Sequence, residues 1–281
     1  MKPIRIGRIA FTNILPIYQY IDDQGLDVEW IRQVPSLLNR DMAAGNIDMS
    51  PISAFAYAEH ADEYVLMPDL SISAMGPVGS IFLFTKGDQL HDLDGKTIAL
   101  TNTSASSVAL LKIVLEKFAG VSPNYVTMAP SLEEMMNVAD AALLIGDDAV
   151  KGKWNGSAYR IYDLGEEWMK QTGLSMTYAV WAVRRAIAES RRSDLEEIYL
   201  RFMQAKAEGR KNLTPAIEEA MRQLGGDAAF WKAYFEGLCY DFGEKEKRGL
   251  QTYFRYAADL GLLPSNVEIH MLDLPASLGM R

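Results

Sequence analysis

The sequence predicts an α/β fold of two lobes with a cleft between them and a helical C-terminal region. Strand-sized apolar runs alternate with helix-patterned segments twice, across residues 4–85 and again across 97–184, an alternation that favours parallel or mixed sheets covered by helices. A charged, turn-rich stretch, GDQLHDLDGK, lies between the two series, and residues 187–263 then become almost wholly helical. With 281 residues, 49% of them hydrophobic, the chain is large for one compact unit. The expected plan is lobe I from residues 1–86 plus 185–281, with lobe II inserted at 87–184.

The elements follow from local pattern. Residues 4–11 read as a strand, Pro16 to about Gln24 as a helix, and 27–32 as a second strand with alternating faces. In SLLNRDMAAGNID, Ser36 is the expected N-cap and Gly45 the stop. AFAYAEHADEY and VLMPDLSISA repeat the helix and strand, and SIFLFTK closes the first series. The second runs through TIALTN, SASSVALLKIVLEKFAG, YVTMA, SLEEMMNVAD and AALLIGD to SMTYAVWAVRR. Caps are expected at Ser193 and Thr214 in the helical tail, with a stop at Gly261–Pro264. Such a plan is that of two-lobed solute-binding folds, whose ligands lie beyond the carboxyl ends of the strands.

Composition removes several classes of function. A formal charge of −9 and the lack of any long Lys/Arg run argue against nucleic acid. One cysteine, Cys239, and three scattered histidines, His60, His91 and His270, offer neither a disulfide nor metal-ligand spacing. No apolar run approaches the roughly 20 residues of a membrane span, and MKPIRIGRIAF passes directly into a strand without a signal-peptide pattern, so a cytoplasmic location is expected. The dinucleotide and Walker glycine patterns are missing, and no G-x-S-x-G elbow occurs. The aromatic stripe Trp231, Tyr234, Phe235, Tyr253, Phe254 and Tyr256 reads as core, or as a contact within a homo-oligomer, rather than as a cofactor box.

Polar stretches at strand ends are the candidate site. Asn13, after IGRIAF, can offer both donor and acceptor to a ligand, against the alternative of an Asx turn or cap. In SAMGPVGS the glycines, Gly79 among them, allow close backbone approach, and Ser80 can turn its hydroxyl into a cleft. TNTSASS crowds Thr103, Ser104, Ser106 and Ser107 around a helix N-terminus, where unpaired N–H groups and the helix dipole favour an anion. Asp147, at the end of AALLIGDD, is a candidate acceptor or weak base, and Thr172–Gly173 before the return strand is a further candidate contact. The residues alone thus point to a small carboxylate.

IGRIAFTNILPIY, GNIDMSPISAFAYA, GPVGSIFLFTK, LTNTSASSVALLKIVL, ALLIGDDAV and YDLGEEWMKQTGLSMTYAVWA occur in this order. Together they resemble the chorismate dehydratases of the futalosine route to menaquinone, and the likeness is dense over residues 4–184. That resemblance implies a periplasmic-binding-protein-like (type II) fold, chorismate as small-molecule substrate, and no metal or organic cofactor. It implies elimination of water to give 3-(1-carboxyvinyloxy)benzoate, with functional roles for Asn13 and Ser80. Substrate contacts would fall on Ser53, on Gly79, and on Thr103, Ser104, Ser106 and Ser107 of the hydroxyl-rich loop. No matched stretch places a His or Lys for proton abstraction, which leaves Asp147 or the substrate's own enolpyruvyl carboxylate as the base.

Two other readings compete. A solute-binding protein that only captures a carboxylate would share the fold. Dihydroxynaphthoate synthase, the sister enzyme of the same route, would open on a segment like Cys-Pro-Asn-Asp, whereas this chain has FTNILP and no cysteine before residue 239.

Overall fold

A computed structural model describes residues 2–155 and 158–274. Strand β1 (Ile4–Ile9) passes through a 3-10 turn at Thr12–Ile14 into helix α1 (Leu15–Tyr18), followed by β2 (Val28–Gln33), α2 (Pro35–Ala43), β3 (Met49–Ser53), α3 (Ala54–Glu59) and β4 (Tyr64–Ala74). The second series is β5 (Ile81–Thr85), β6 (Thr97–Thr101), α4 (Ala105–Lys112), β7 (Asn124–Met128), α5 (Leu132–Val138), β8 (Ala141–Ile145), α6 (Gly146–Asn155), β9 (Arg160–Asp163) and α7 (Leu164–Thr172). The return strand β10 (Met176–Arg184) leads to α8 (Arg185–Ser190), α9 (Arg192–Lys211), α10 (Thr214–Leu224), α11 (Ala228–Gly237), the short β11 (Leu238–Cys239) and α12 (Glu244–Asp259).

Two mixed sheets result, in the orders β11-β4-β10-β3-β1-β2 and β7-β6-β8-β5-β9. In the first, β1 runs parallel to β2 and β3, while β10 lies antiparallel between β3 and β4. In the second, β6 runs parallel to β7 and β8, while β5 lies antiparallel between β8 and β9. The sheets correct the expected lobe limits, because β5 belongs to the second sheet and β10 to the first. The chain therefore crosses between sheets at residues 75–80 and returns at 173–175, not at 87 and 184. Glycines make both crossings feasible: Gly76, Gly79 and Gly173 adopt φ of +106°, +73° and +67°, a region costly for any residue with a Cβ.

Several expected boundaries also shift. Helix α1 ends at Tyr18 rather than near Gln24, because Asp22 and Asp23 capture the N–H groups of Gln24 and Leu26 in a turn. Val34, not Ser36, caps α2, since Pro35 takes the first helical position, where a missing N–H costs nothing. Helix α9 starts at Arg192, and Leu213 rather than Thr214 caps α10. The two-residue β11 interrupts the helical tail to pair with the end of β4.

One continuous apolar core joins both lobes, and a smaller cluster around Phe82, Phe84, Met135 and Leu144 covers the second sheet's other face. Burial of each such side chain contributes about 1.5–3 kcal/mol. The aromatic stripe is core: Trp231, Tyr234, Phe235, Tyr253 and Phe254 are buried. Helices α11 and α12 lean on the second lobe as well. Trp168 of α7 meets Tyr253 and Tyr256 of α12, and Trp154 of α6 stands edge-on to Phe230 and Trp231 of α11 at 5.1 and 6.0 Å between ring centres. No helix among the described residues is long and apolar enough to cross a membrane.

Helix α9 packs directly under α1, and at Gly209 an added Cβ would overlap the carbonyl oxygen of Pro16. Backbone on both sides leaves nothing flexible to yield. Gly209→Ala is therefore expected to lower stability by about 1–3 kcal/mol, read from the urea unfolding midpoint; an unchanged midpoint would mean that α1 is free to slide.

Candidate active site

The carboxyl ends of β1, β3 and β8 and the N-terminus of α4 border one cavity between the sheets. Its polar side chains are Asn13, Ser53, Ser80, Ser104, Ser107 and Tyr178; apolar groups such as Ile9, Phe11, Ile52, Ile72 and Ile145 form much of the remainder. Among the described residues that line it there is no Lys, Arg, His, Asp or Glu. An acid entering this space would meet hydroxyls, an amide and helix N-termini.

The polar pair after β1 divides its work. Thr12 donates its N–H and Oγ1 hydroxyl to Asp147 Oδ1 at 3.1 and 2.7 Å, which bolts the first lobe to α6 of the second. Asn13 enters the cavity instead. Its carbonyl accepts the Tyr240 hydroxyl at 2.7 Å, while its side-chain Oδ1 is buried with no hydrogen-bond partner among the described residues. A buried acceptor left unpaired costs about 1–3 kcal/mol, so this oxygen is poised for a ligand donor.

Ser80 stands at the mouth of β5 and accepts the Tyr234 hydroxyl at 3.0 Å. Because Tyr234 supplies that proton, the serine's own hydrogen is free to point elsewhere. Ser53 caps α3, its Oγ accepting from the Ala56 N–H and from Asn39 Nδ2, each at 3.1 Å. Ser104 caps α4 by accepting the Ser107 N–H at 3.3 Å and donates to Ser107 Oγ at 3.0 Å. Of the residues singled out from the sequence and the resemblance, Asn13, Ser53, Ser80, Ser104 and Ser107 thus border one cavity.

Other candidates are engaged in holding the fold. Ser106 Oγ accepts the Phe55 N–H of α3 at 3.0 Å, and its carbonyl accepts the Tyr253 hydroxyl at 3.0 Å, so it ties the lobes and lies outside the cavity lining. Thr103 bonds to Thr101 Oγ1 at 2.8 Å and does not line the cavity. The Gly79 N–H is taken by Asp163 Oδ2 at 2.7 Å, which removes it as a ligand donor. Asp147 is occupied by Thr12 and is not among the lining residues; burial raises its pKa above the ordinary value, against the opposing pull of the Thr12 bonds. Thr172 donates to the Trp168 carbonyl at 2.8 Å, and Gly173 closes α7 in the left-handed conformation, so this pair ends a helix away from the cavity.

Three residues that matter here were not singled out as site residues by sequence. Tyr178 and Tyr234 read as parts of an apolar run and a core stripe, yet one lines the cavity and the other holds Ser80. Asp163 is the third. Its carboxylate accepts the N–H groups of Val78 at 3.0 Å, Gly79 at 2.7 Å, Gly165 at 2.9 Å and Glu166 at 3.2 Å. One side chain therefore caps α7 and shapes the turn that delivers Ser80. The signal lay in YDLGEE, an acid one position before a helix with glutamates in its first turn. Desolvation raises the Asp163 pKa, with the four N–H bonds opposing it.

The profile of the family described as Menaquinone biosynthesis matches residues 4–259. The chain belongs to the menaquinone biosynthesis family. It is 30% identical to Chorismate dehydratase of Thermus thermophilus over 277 residues, covering 93% of this chain and 97% of that one. It is 24% identical to 1,4-dihydroxy-6-naphtoate synthase of the same organism, over 93% and 96% of the two chains. The alkanesulfonate-binding protein SsuA from Xanthomonas axonopodis pv. citri, bound to MOPS, superposes with a TM-score of 0.70 at 15% identity, over 94% and 95% of the chains. That likeness concerns the fold alone, which is periplasmic-binding-protein-like as the sequence suggested.

Asp163→Asn in this menaquinone-biosynthesis family member keeps one acceptor oxygen and loses the bond to Gly79. We expect it to be about 1–3 kcal/mol less stable at pH 7. Because burial raises the wild-type carboxyl's pKa, the folded chain takes up that proton at higher pH than the unfolded chain, and the group favours the fold more as pH falls through the raised value. The wild type's advantage over Asp163→Asn should therefore widen towards acid pH in chemical-denaturation curves; a constant gap contradicts this account.

Proposed function

We propose that this chain is a chorismate dehydratase, a lyase that eliminates water from chorismate to give 3-(1-carboxyvinyloxy)benzoate in menaquinone biosynthesis by the futalosine route. The observation that carries the reading is the cavity between the lobes, which gathers Asn13, Ser80, Ser104 and Ser107 around a space without charged side chains among its described lining residues. Membership of the menaquinone biosynthesis family and the similarity to the Thermus enzyme support it.

The chemistry asks little covalent work of the protein. Loss of the C3 proton and the C4 hydroxyl turns a cyclohexadiene into a benzene ring, so aromatisation drives the elimination. No electron leaves the substrate, and the proton and hydroxide depart as water. What the protein must supply is a fixed geometry, donors for charge that spreads into the ring carboxylate, and help for the departing hydroxyl. In this reading Ser104 and Ser107, at the α4 N-terminus, hold one carboxylate. Ser80 directs its free hydrogen at the leaving hydroxyl, and Asn13 orients the reacting edge. With Asp147 committed to Thr12, the substrate's own enolpyruvyl carboxylate is the proton acceptor.

The reading is tested by incubating purified protein with chorismate, following the ultraviolet change as the diene becomes a benzoate, and identifying the product. Binding without turnover would favour a pure solute-binding role. Dihydroxynaphthoate synthase activity is disfavoured by FTNILP, which has no cysteine at the opening motif. Ser80→Ala and Asn13→Ala are each expected to lower kcat by about 10²–10³-fold, Asn13→Ala with little change in melting temperature and Ser80→Ala with a loss of about 1–3 kcal/mol because the buried Tyr234 hydroxyl loses its partner. If both retain wild-type rates, their catalytic assignments fall.

A further inference from the structure

Among the buried polar atoms that lack a hydrogen-bond partner within the described residues, two belong to side chains that line the cavity: Asn13 Oδ1 and the Tyr178 hydroxyl. The backbone treats Tyr178 specially. Strand β10 pairs Thr177 with Ser73 and Ala179 with Ile72, so two successive residues of β4 face three of β10 and Tyr178 is the extra one. Bulges of this kind re-aim side chains and are concentrated beside active sites. Its effect is visible in the lining, where the neighbours Tyr178 and Ala179 both border the cavity although consecutive strand residues ordinarily face opposite ways.

A glycine lies against the phenol. A Cβ on Gly165 would overlap the Gly76 carbonyl oxygen and stand 2.6 Å from the Tyr178 hydroxyl, so the bare backbone there admits both the crossing turn and the tyrosine. Only 7% of Tyr178 is exposed. A phenol O–H sealed in this way, with no acceptor from the described residues, is an arrangement that a fold tolerates where something else completes it.

We propose that Tyr178 is a further substrate-contacting residue, whose phenol O–H donates a hydrogen bond to a carboxylate oxygen of the bound acid. The inference rests on the dehydratase reading and adds a donor to it. A dianion held without any charged lining side chain needs every neutral donor available, and several hydroxyls here are already partly engaged with one another or with helix caps. Burial and the nearby Asp163 charge hold the phenol in its protonated, donating form throughout the neutral range. The role is to bind and orient; no proton leaves the tyrosine.

Tyr178→Phe removes the hydroxyl and keeps the ring that packs against the lobe. Wild type and variant are compared in chorismate turnover, in inhibition by added 3-(1-carboxyvinyloxy)benzoate, and in melting temperature. The expected result is a kcat/KM about 10–100-fold lower, the loss of one hydrogen bond to a charged group, with weaker product inhibition. The melting temperature should stay within about 2 °C, well under the shift of a large destabilisation, because an unpaired buried hydroxyl gives the ligand-free fold nothing to lose. A variant with kcat/KM within twofold of wild type overturns the inference while leaving the dehydratase reading intact. A melting temperature that falls steeply along with activity overturns it too, since the hydroxyl would then be structural. A wild type that leaves chorismate unchanged overturns the dehydratase reading itself and this inference with it.

Discussion

Two sheets that meet with their strand ends facing one another leave unpaired backbone and polar side chains along a common seam, and the chain must satisfy those groups across it. It does so with uncharged donors and two carboxylates, Asp147 half-buried and Asp163 buried. Thr12 reaches Asp147, the Phe55 N–H reaches Ser106, the Tyr253 hydroxyl reaches the Ser106 carbonyl, and Tyr234 reaches Ser80. Asp163 gathers four N–H groups of the crossing turn and α7. Two buried polar atoms of the cavity lining, Asn13 Oδ1 and the Tyr178 hydroxyl, stay outside this mutual satisfaction.

This division explains why closely spaced residues of similar chemistry have different fates. Within TNTSASS, Ser104 and Ser107 lie one helical turn apart and share the cavity side of the α4 N-terminus, whereas Ser106 faces α3 and serves the lobe contact. In the Thr12–Asn13 pair the first residue closes the seam and the second opens into the space behind it. A recognition surface of neutral donors suits an anion that must also react: a fixed ammonium or guanidinium would stabilise the ground-state charge as strongly as the charge that develops later.

Much of this was legible beforehand. Alternating strands and helices disclosed two α/β units, and polar stretches beyond apolar strands drew attention to Asn13, Ser80, Ser104 and Ser107, because ligands in such sheets lie outside the strands' carboxyl ends; Ser53 was reached only through the family resemblance. The lobe limits were misplaced because β5 and β10 are mainly apolar and buried almost end to end, and periodicity cannot say to which sheet such a strand belongs. Thr172 and Gly173 looked like loop residues, although a glycine after the last helical turn is equally a helix stop. Tyr178 and Tyr234 were hidden for a related reason. A tyrosine in an apolar run contributes a ring to the core whatever its hydroxyl does, and only the bulge in β10 and the approach of α11 to β5 determine where those hydroxyls end.

The packing of Trp154 has a practical side. This indole is carried by α6 of the second lobe, is 37% exposed, and leans on Phe230 and Trp231 of a helix rooted in the first. Were the lobes to part, Trp154 and Trp231 would lose each other and Trp168 would lose the α12 tyrosines, whereas Trp181 lies buried in the first sheet and Trp30 is half-buried on β2. The seam thus carries its own optical gauge: a parting of the lobes would red-shift and quench indole emission without any attached dye.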